Sequence, residues 1–409
     1  MIKIDEIYDT IFLQWLQQNR SLFRLFFCDP PGSTSPMNLF NYAIPNEGKI
    51  INNRDYAKEK THLADKNYYF FHDQEPIWID IHKPLFDTVI EKNLDLLSIY
   101  TIQTQPASYI EYYFNNSLHT QPDKASQFPE FGYIIISEQN SIFAEQLQDH
   151  YNWKICYYFY HGWAALDWYR GYNRTFLIPR AKHRTPTKSF ISPNRIIGGK
   201  RDHRVLFLYH VFKNKLDNNH FTAPIICPHE NTSITDVAKK YMDTYPDIID
   251  VFNNASLPRL FKDEETQLMT SHRITNHDES ADSLFYVPTE TVYFGRRWHL
   301  TEKTFKPIAL EMPFILVAPM GSLEYLRSYG FKTFANIIDE SYDEESNDIL
   351  RLEKITNLLK DIDSLSAKER QQIHRHCLPL VEYNYNHFYV GNFEKILWNE
   401  LTGMIQEWL

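Results

Sequence analysis

Residues 285–319 read FYVPTETVYFGRRWHLTEKTFKPIALEMPFILVAP, and the alternation of apolar and polar runs in this stretch decides the fold. FYV is a short apolar run that reaches a polar pair, Thr289-Glu290, and reads as a strand over 285–290 with a loop after it. TEKTFKPIALE, 301–311, reads as a helix with Thr301 as N-cap and Glu302 in its first turn. PFILVAP, 313–319, is a continuous apolar run between prolines, the pattern of a buried parallel strand. Downstream, Gly321 and Ser322 open a second helix, SLEYLRSY, which Gly330 ends, and FKTF (331–334) is expected as another strand. Strand and helix thus alternate as in a Rossmann-type sheet.

Upstream, 204–216 reads as a helix, 223–227 (APIIC) as a strand and 234–243 as a helix. Residues 171–204 are rich in Gly, Pro, Arg and Lys without apolar periodicity, and read as an interdomain linker. Before it, the aromatic run in 67–81 (NYYFFHDQEPIWIDI) stops at a polar loop, His72 to Glu75. Short buried strands follow at 94–101 and 132–137, with a helix expected from Phe143 to His150, so this part is also α/β. With 409 residues the chain exceeds one ordinary core. The expected domains are 1–180, 181–382, and a tail, 383–409, formed by a polar and aromatic loop and an amphipathic helix packing back on the first domain.

Composition narrows the function. Apolar residues at 43% and charged residues at 23% mark a globular chain, and the 27 Tyr and 28 Phe suit cores and sugar-stacking platforms equally. A net charge of −10 makes nucleic acid an unlikely main partner, and the basic stretch Arg180–Arg204 has the size of a phosphate pocket. Cys28, Cys156, Cys227 and Cys377 form no CxxC pair and read as free thiols. His374 and His376 beside Cys377 lack partners at zinc spacing. Asp361 and Asp363 form a D-x-D inside a helix-like context (NLLKDIDSLSAKER), so no metal is expected. No apolar run approaches the roughly 18 residues that cross a bilayer, and MIKIDEIYDTIFLQWL lacks a signal pattern. A cytoplasmic location is the expectation.

Ligands of open α/β sheets sit beyond the carboxyl ends of strands, facing helix N-termini. Glu290 at a strand end and Thr301-Glu302-Lys303 at a helix start therefore share one crevice. Exposed helix-start N–H groups favour phosphate. Lys303 opposes the dipole there by a few tenths of a kcal/mol, roughly, and fits that position better with an anion bound. The carboxylates of Glu290 and Glu302 suit vicinal hydroxyls of ribose or sugar. A solvated helix start with a Thr cap is the plain alternative.

The 285–319 stretch resembles the donor-binding signature of α-1,3-fucosyltransferases and, more loosely, exostosin-type glycosyltransferases. Glu290 matches the strand-end Glu, and Glu302-Lys303 the Glu-Lys pair that contacts the sugar or ribose and the pyrophosphate. Thr291-Val292 replaces the usual Asn-Ser, the loop is longer and carries Arg296 and Arg297, and 321–343 departs from the pattern. KSFISPNRIIGGKRDHRVLFLYHVFKNKL, 188–216, resembles the other half of the donor site, with Asn194, Arg195, Arg201 and Arg204 as the matching polar and basic positions. FFHDQEPIWIDI faintly resembles the family loop whose carboxylate deprotonates the acceptor, with Glu75 the first candidate and Asp73 the second. YYFYHGWAALDWYRGYNR, 157–174, offers His161, Trp163 and Trp168 as an acceptor platform, or a core.

The resemblance implies a GT-B-like α/β architecture, two Rossmann-like domains facing a cleft, and a glycosyltransferase. Its substrates are a GDP- or UDP-sugar and a glycan or other hydroxyl acceptor, with no permanently bound cofactor. Inverting, metal-independent transfer follows from the resemblance, and a role in polysaccharide biosynthesis fits it. The rival readings are a phage-type DNA-base glycosyltransferase, which the acidic balance opposes, and a non-catalytic glycan- or nucleotide-binding protein.

Overall fold

The computed structural model describes residues 24–27, 51–52, 67–73, 96–102, 131–136, 138–142, 144–145, 154–157, 159–169, 179–228, 230–261 and 274–406. The chain divides into two compact units, residues 1–163 with 397–409, and residues 164–396. Each is an α/β unit with a parallel sheet.

The first unit carries strands β1 (Arg24–Phe27), β2 (Ile51–Asn52), β3 (Asn67–Asp73), β4 (Leu96–Ile102), β5 (Phe131–Ile136) and β6 (Lys154–Tyr157). Their sequences are runs such as NYYFFHD and FGYIII, aromatic and β-branched, which suit strands covered on both faces. All pairings are parallel and the order is β2-β1-β3-β4-β5-β6. The chain moves outward from β1 to β2 and then returns to the other side of β1, so the topological switch lies between β1 and β3.

The second unit repeats this topology on a smaller scale. Strands β7 (Lys188–Ser192), β8 (His220–Phe221) and β9 (Ser283–Tyr286) are parallel in the order β8-β7-β9. Residues 313–317 extend the sheet beyond β9 through parallel bridges at Tyr286–Phe314 and Thr289–Val317. The switch here lies between β7 and β9.

Ten α-helices have both ends among the described residues, and residues 142, 144 and 145 are helical as well. The ten are α1 (Tyr160–Tyr169), α2 (His203–Lys213), α3 (Ile234–Ala238), α4 (Ile248–Asn254), α5 (His277–Asp282), α6 (Glu302–Ala309), α7 (Ser322–Ser328), α8 (Asp348–Ser364), α9 (Ala367–Tyr389) and α10 (Asn392–Gln406). Residues 203–211 of α2 are all buried, and a helix apolar nearly all round belongs in a core. In the C-terminal part of the second unit, Phe305 of α6 stacks on Phe388 of α9 at 5.4 Å.

Several expectations need correction. The stretch 171–204, read as a linker, contains β7, the middle strand of the second sheet. Its residues 189–192 are all buried, so the alternation that announces a half-exposed strand is absent. The strand expected at 223–227 is instead β8 at His220–Phe221, with only antiparallel bridges at Ala223 and Ile226. No strand forms at 331–334. Lys332 gives its N–H to Asn384 Oδ1 and takes the Asn384 amide on its carbonyl, both at 2.8 Å, so a side chain of α9 supplies what a neighbouring strand would. Residues 383–389, expected as loop, continue α9. The helix expected from Phe143 to His150 lies largely outside the described residues.

Candidate functional site

Both strands that flank the switch of the second sheet end in short polar segments. After β7 come Pro193, Asn194 and Arg195, and after β9 come Val287 to Glu290. The two ends are tied to each other. Asn194 is fully buried; its amide donates to the carbonyl and hydroxyl of Ser192, each at 3.0 Å, and its oxygen accepts from Thr289 Oγ1 at 2.8 Å. Its backbone N–H donates to Thr222 Oγ1 at 2.5 Å, joining the end of β8.

Two helix N-termini close on the Thr289-Glu290 peptide. From α2, buried Arg204 donates to the carbonyls of Thr289 (2.9 Å), Glu290 (3.1 Å) and Ile196 (2.8 Å). His203 Nε2 lies 3.1 Å from the Glu290 carbonyl, so that nitrogen carries the proton. Burial drives the His203 pKa well below the ordinary value, with adjacent Arg204 adding to the effect, and the ring is neutral. It stacks on Tyr293 at 5.2 Å, and the Arg351 guanidinium covers the Tyr293 ring at 4.4 Å.

From α6, the first turn binds the Glu290 carboxylate, which is fully buried. Oε1 accepts from the Thr301 N–H (3.1 Å) and Thr304 Oγ1 (2.6 Å). Oε2 accepts from Thr301 Oγ1 (2.6 Å) and the Thr291 N–H (3.2 Å). Thr301 caps α6, its hydroxyl oxygen accepting from the Lys303 N–H at 3.4 Å. The Lys303 ammonium reaches Thr291 Oγ1 and Thr301 Oγ1, each at 3.2 Å, and Glu302 Oε1 at 2.8 Å. Three acceptors thus match its three N–H bonds. Glu302 is itself buried, and its carbonyl accepts from the Tyr169 hydroxyl at 3.3 Å.

Asn194, Arg204, Glu290, Thr301, Glu302 and Lys303 are therefore brought together at the switch of one sheet. Arg195 stands in the same β7–α2 loop, and its buried Nη1 has no hydrogen-bond partner among the described residues. Arg201 closes the 3-10 turn Gly199–Arg201 that leads into α2 and is partly exposed. The upstream end of the basic stretch has other work. Arg180 pairs with Glu311 at 2.8 Å, and buried Arg184 binds the carbonyls of Ser280 and Glu311.

In the first unit, Asp73 is the last residue of β3 and stands at the carboxyl edge of the sheet beside its switch. Glu75 lies outside the described residues. His161, Trp163 and Trp168 all fall on α1, and His161 is buried. Asp363 accepts from Ser189 Oγ and Asn219 Nδ2, both at 2.8 Å, which fastens α8 to β7. His374 bonds the Ala181 carbonyl at 2.8 Å, and burial pushes the Cys377 thiol up to about 12.

Sequence reasoning missed Thr304, His203, Tyr293 and Arg351. Thr304 was findable, because it follows the N-cap by three, where a side chain returns to the helix start. Arg351 also left a signal, standing one turn before Ile355 in the buried stripe of α8. It donates to the carbonyls of Ala318, Glu345 and Tyr293 and pairs with Asp348 at 2.6 Å.

No family model matches the chain, and neither does any curated protein. Among solved structures, that of E. coli trehalose-6-phosphate bound with UDP-2-fluoro glucose is similar at a TM-score of 0.37 and 12% identity, over 82% of this chain and 74% of that one. A glycosyltransferase from Rickettsia africae ESF-5 is similar at a TM-score of 0.31 and 11% identity, over 93% of this chain and 98% of that one. Likeness this slight carries no argument about function.

Proposed function

We propose that the chain is a GT-B-type glycosyltransferase whose second unit holds a nucleotide-sugar at the β7/β9 switch. The observation that carries the reading is the convergence there of two strand ends, the N-termini of α2 and α6, the cation of Lys303 and the Nη1 of Arg195, which has no hydrogen-bond partner among the described residues. Peptide N–H groups at helix starts and cations together favour a diphosphate. In this reading Arg195 and Arg201 contact the diphosphate of a GDP- or UDP-sugar, and Lys303, its N–H bonds met by Thr291, Thr301 and Glu302, acts on it through its charge. Arg204 adds its charge from the wall of the crevice while holding the Thr289-Glu290 peptide. Glu302 takes hydroxyls of the ribose or sugar. Asn194, Thr301 and Glu290 keep the crevice in shape.

Asp73, at the switch of the first sheet, and Glu75 just beyond it are the candidate bases on the acceptor side. His161, Trp163 and Trp168 are proposed for the acceptor sugar. The acceptor oxygen attacks the anomeric carbon as its proton passes to the carboxylate. The bond from that carbon to the phosphate oxygen breaks, and its electron pair leaves with the nucleoside diphosphate. Direct displacement inverts the anomeric carbon, and the Arg and Lys charges stabilise the leaving group without requiring a metal. A glycan acceptor in surface-polysaccharide synthesis fits this chemistry.

The test is calorimetric titration of UDP, GDP and their sugars into wild type and Lys303→Ala. One nucleoside diphosphate should bind wild type with micromolar affinity, and Lys303→Ala should weaken it by about one to two orders of magnitude. No binding of any nucleotide at millimolar concentration would remove the donor site from this crevice.

A further inference from the structure

The four bonds to Glu290 have a polarity. A carboxylate only accepts, so the single proton of the Thr301 hydroxyl points to Oε2, at 2.6 Å. The lone pairs of that hydroxyl are thereby turned to the Lys303 N–H at 3.4 Å and the Lys303 ammonium at 3.2 Å. The buried negative charge of Glu290 is transmitted through one hydroxyl to one ammonium. Without it, the Thr301 hydroxyl is free to rotate its proton toward Lys303, donor against donor.

Each carboxylate oxygen also faces a backbone N–H that has no freedom to turn away. Oε1 faces the N–H of Thr301 at 3.1 Å, and Oε2 that of Thr291 at 3.2 Å. A glutamine at this position has one NH2 group, and either orientation aims it at one of these two N–H donors. The site is built for an ionised carboxylate and not for its amide. With both oxygens occupied, Glu290 acts on a ligand through its neighbours.

We propose that Glu290 is a positioning residue that acts through the Thr301 hydroxyl to fix the place from which the Lys303 charge acts on a diphosphate. The proposal rests on the donor-site reading above. It predicts a chain of dependence, Glu290 to Thr301 to Lys303, in which breaking the middle link weakens the contribution of the last.

The experiment measures the affinity of UDP, GDP and inorganic pyrophosphate for the full chain by titration calorimetry, with folding checked by circular dichroism. The variants are Glu290→Gln, Thr301→Val and Thr301→Ser, the two Thr301 variants each with and without Lys303→Ala. Thr301→Val, which keeps the shape and loses the hydroxyl, should weaken binding roughly tenfold, while Thr301→Ser stays within about twofold of wild type. Lys303→Ala should weaken wild type and Thr301→Ser by the same factor but weaken Thr301→Val by a clearly smaller one, the signature of a shared interaction. If Glu290→Gln does not fold, the Thr301 pair decides alone. Thr301→Val binding as wild type does, with only a lowered melting temperature, would reduce Glu290 and Thr301 to a helix clamp and overturn the proposal. Binding that is absent in wild type itself overturns the donor-site reading, and the proposal with it.

Discussion

At the scale of single residues, the second unit is organised by charged side chains that are bonded inside the protein. Glu290 and Arg351 are the two clearest cases, at 0% and 1% exposure. Burying a charge is tolerated only when hydrogen bonds compensate it; Glu290 accepts four and Arg351 donates four of its five N–H groups. Substitution should therefore cost far more than the loss of one bond. Arg351→Met keeps the length of the stem but strands the carbonyls of Ala318, Glu345 and Tyr293, and should lower unfolding free energy by about 3–5 kcal/mol. Urea melts of the two proteins measure this directly. Glu290→Gln, nearly the same in volume, should still cost about 1–3 kcal/mol, because its amide must oppose a backbone N–H in either orientation. Equal midpoints for wild type and Glu290→Gln would contradict the hydrogen-bond assignment.

At the scale of elements, side chains repeatedly complete what secondary structure leaves open. Asn384 of α9 stands in for a missing strand beside Lys332, bonding both its N–H and its carbonyl. Asn384→Leu fills the same space and satisfies neither group. It should destabilise by about 2–4 kcal/mol, and the amide of Lys332 should lose its protection in hydrogen exchange. Helix α7 is capped from a distance, Asp343 accepting from the N–H groups of Leu323 and Glu324. Gly330 ends the turn after α7 at φ +89°, with the His387 ring where a Cβ would stand, 2.9 Å away. Gly330→Ala combines left-handed strain with that clash and should cost more than the roughly 1 kcal/mol of the strain alone. A capping box of Ser366 and Glu369 starts α9, a local motif that the sequence reading passed over. Thr301 as the cap of α6 was legible, because an N-cap is a local contract between residues two or three apart. That 331–334 forms no strand was not legible, because the side chain that bonds Lys332 in place of a neighbouring strand lies 52 residues away.

At the scale of the whole molecule, buried histidines give the chain an acid limit. His203, His210, His374 and His387 are all shifted down by burial, His210 from 6.5 to about 4. A depressed base is neutral in the folded protein while the unfolded chain takes up protons below 6.5. The stabilisation is complete above about pH 6.5 and is lost as pH falls toward 4. Asp343 works in the opposite sense. Burial raises it from 3.8 to about 6, so its term grows more favourable as pH falls through that window. Burial raises Glu340 in the same sense, and with four histidines against these two carboxyls, unfolding free energy should fall between pH 6.5 and 4.5, and His210→Phe should flatten the decline. A free energy that rises on acidification would show that the histidines are not the controlling groups. No helix among the described residues is long and apolar enough to cross a membrane.

What the sequence determined by itself is local. The α/β alternation, the strand ends, the cap at Thr301 and the Glu290, Glu302 and Lys303 positions all follow from neighbours a few residues apart, where propensity and hydrogen-bond reach are set along the chain. Only the tertiary structure decided that 188–192 is a central strand, that Asn194 meets Thr289 across 95 residues, and that Arg351 and His203 both meet the Tyr293 ring. Those outcomes depend on which strand lies beside which, and a crossover topology is settled by the burial of whole faces. That is a property of the assembled sheet, and no window of sequence carries it.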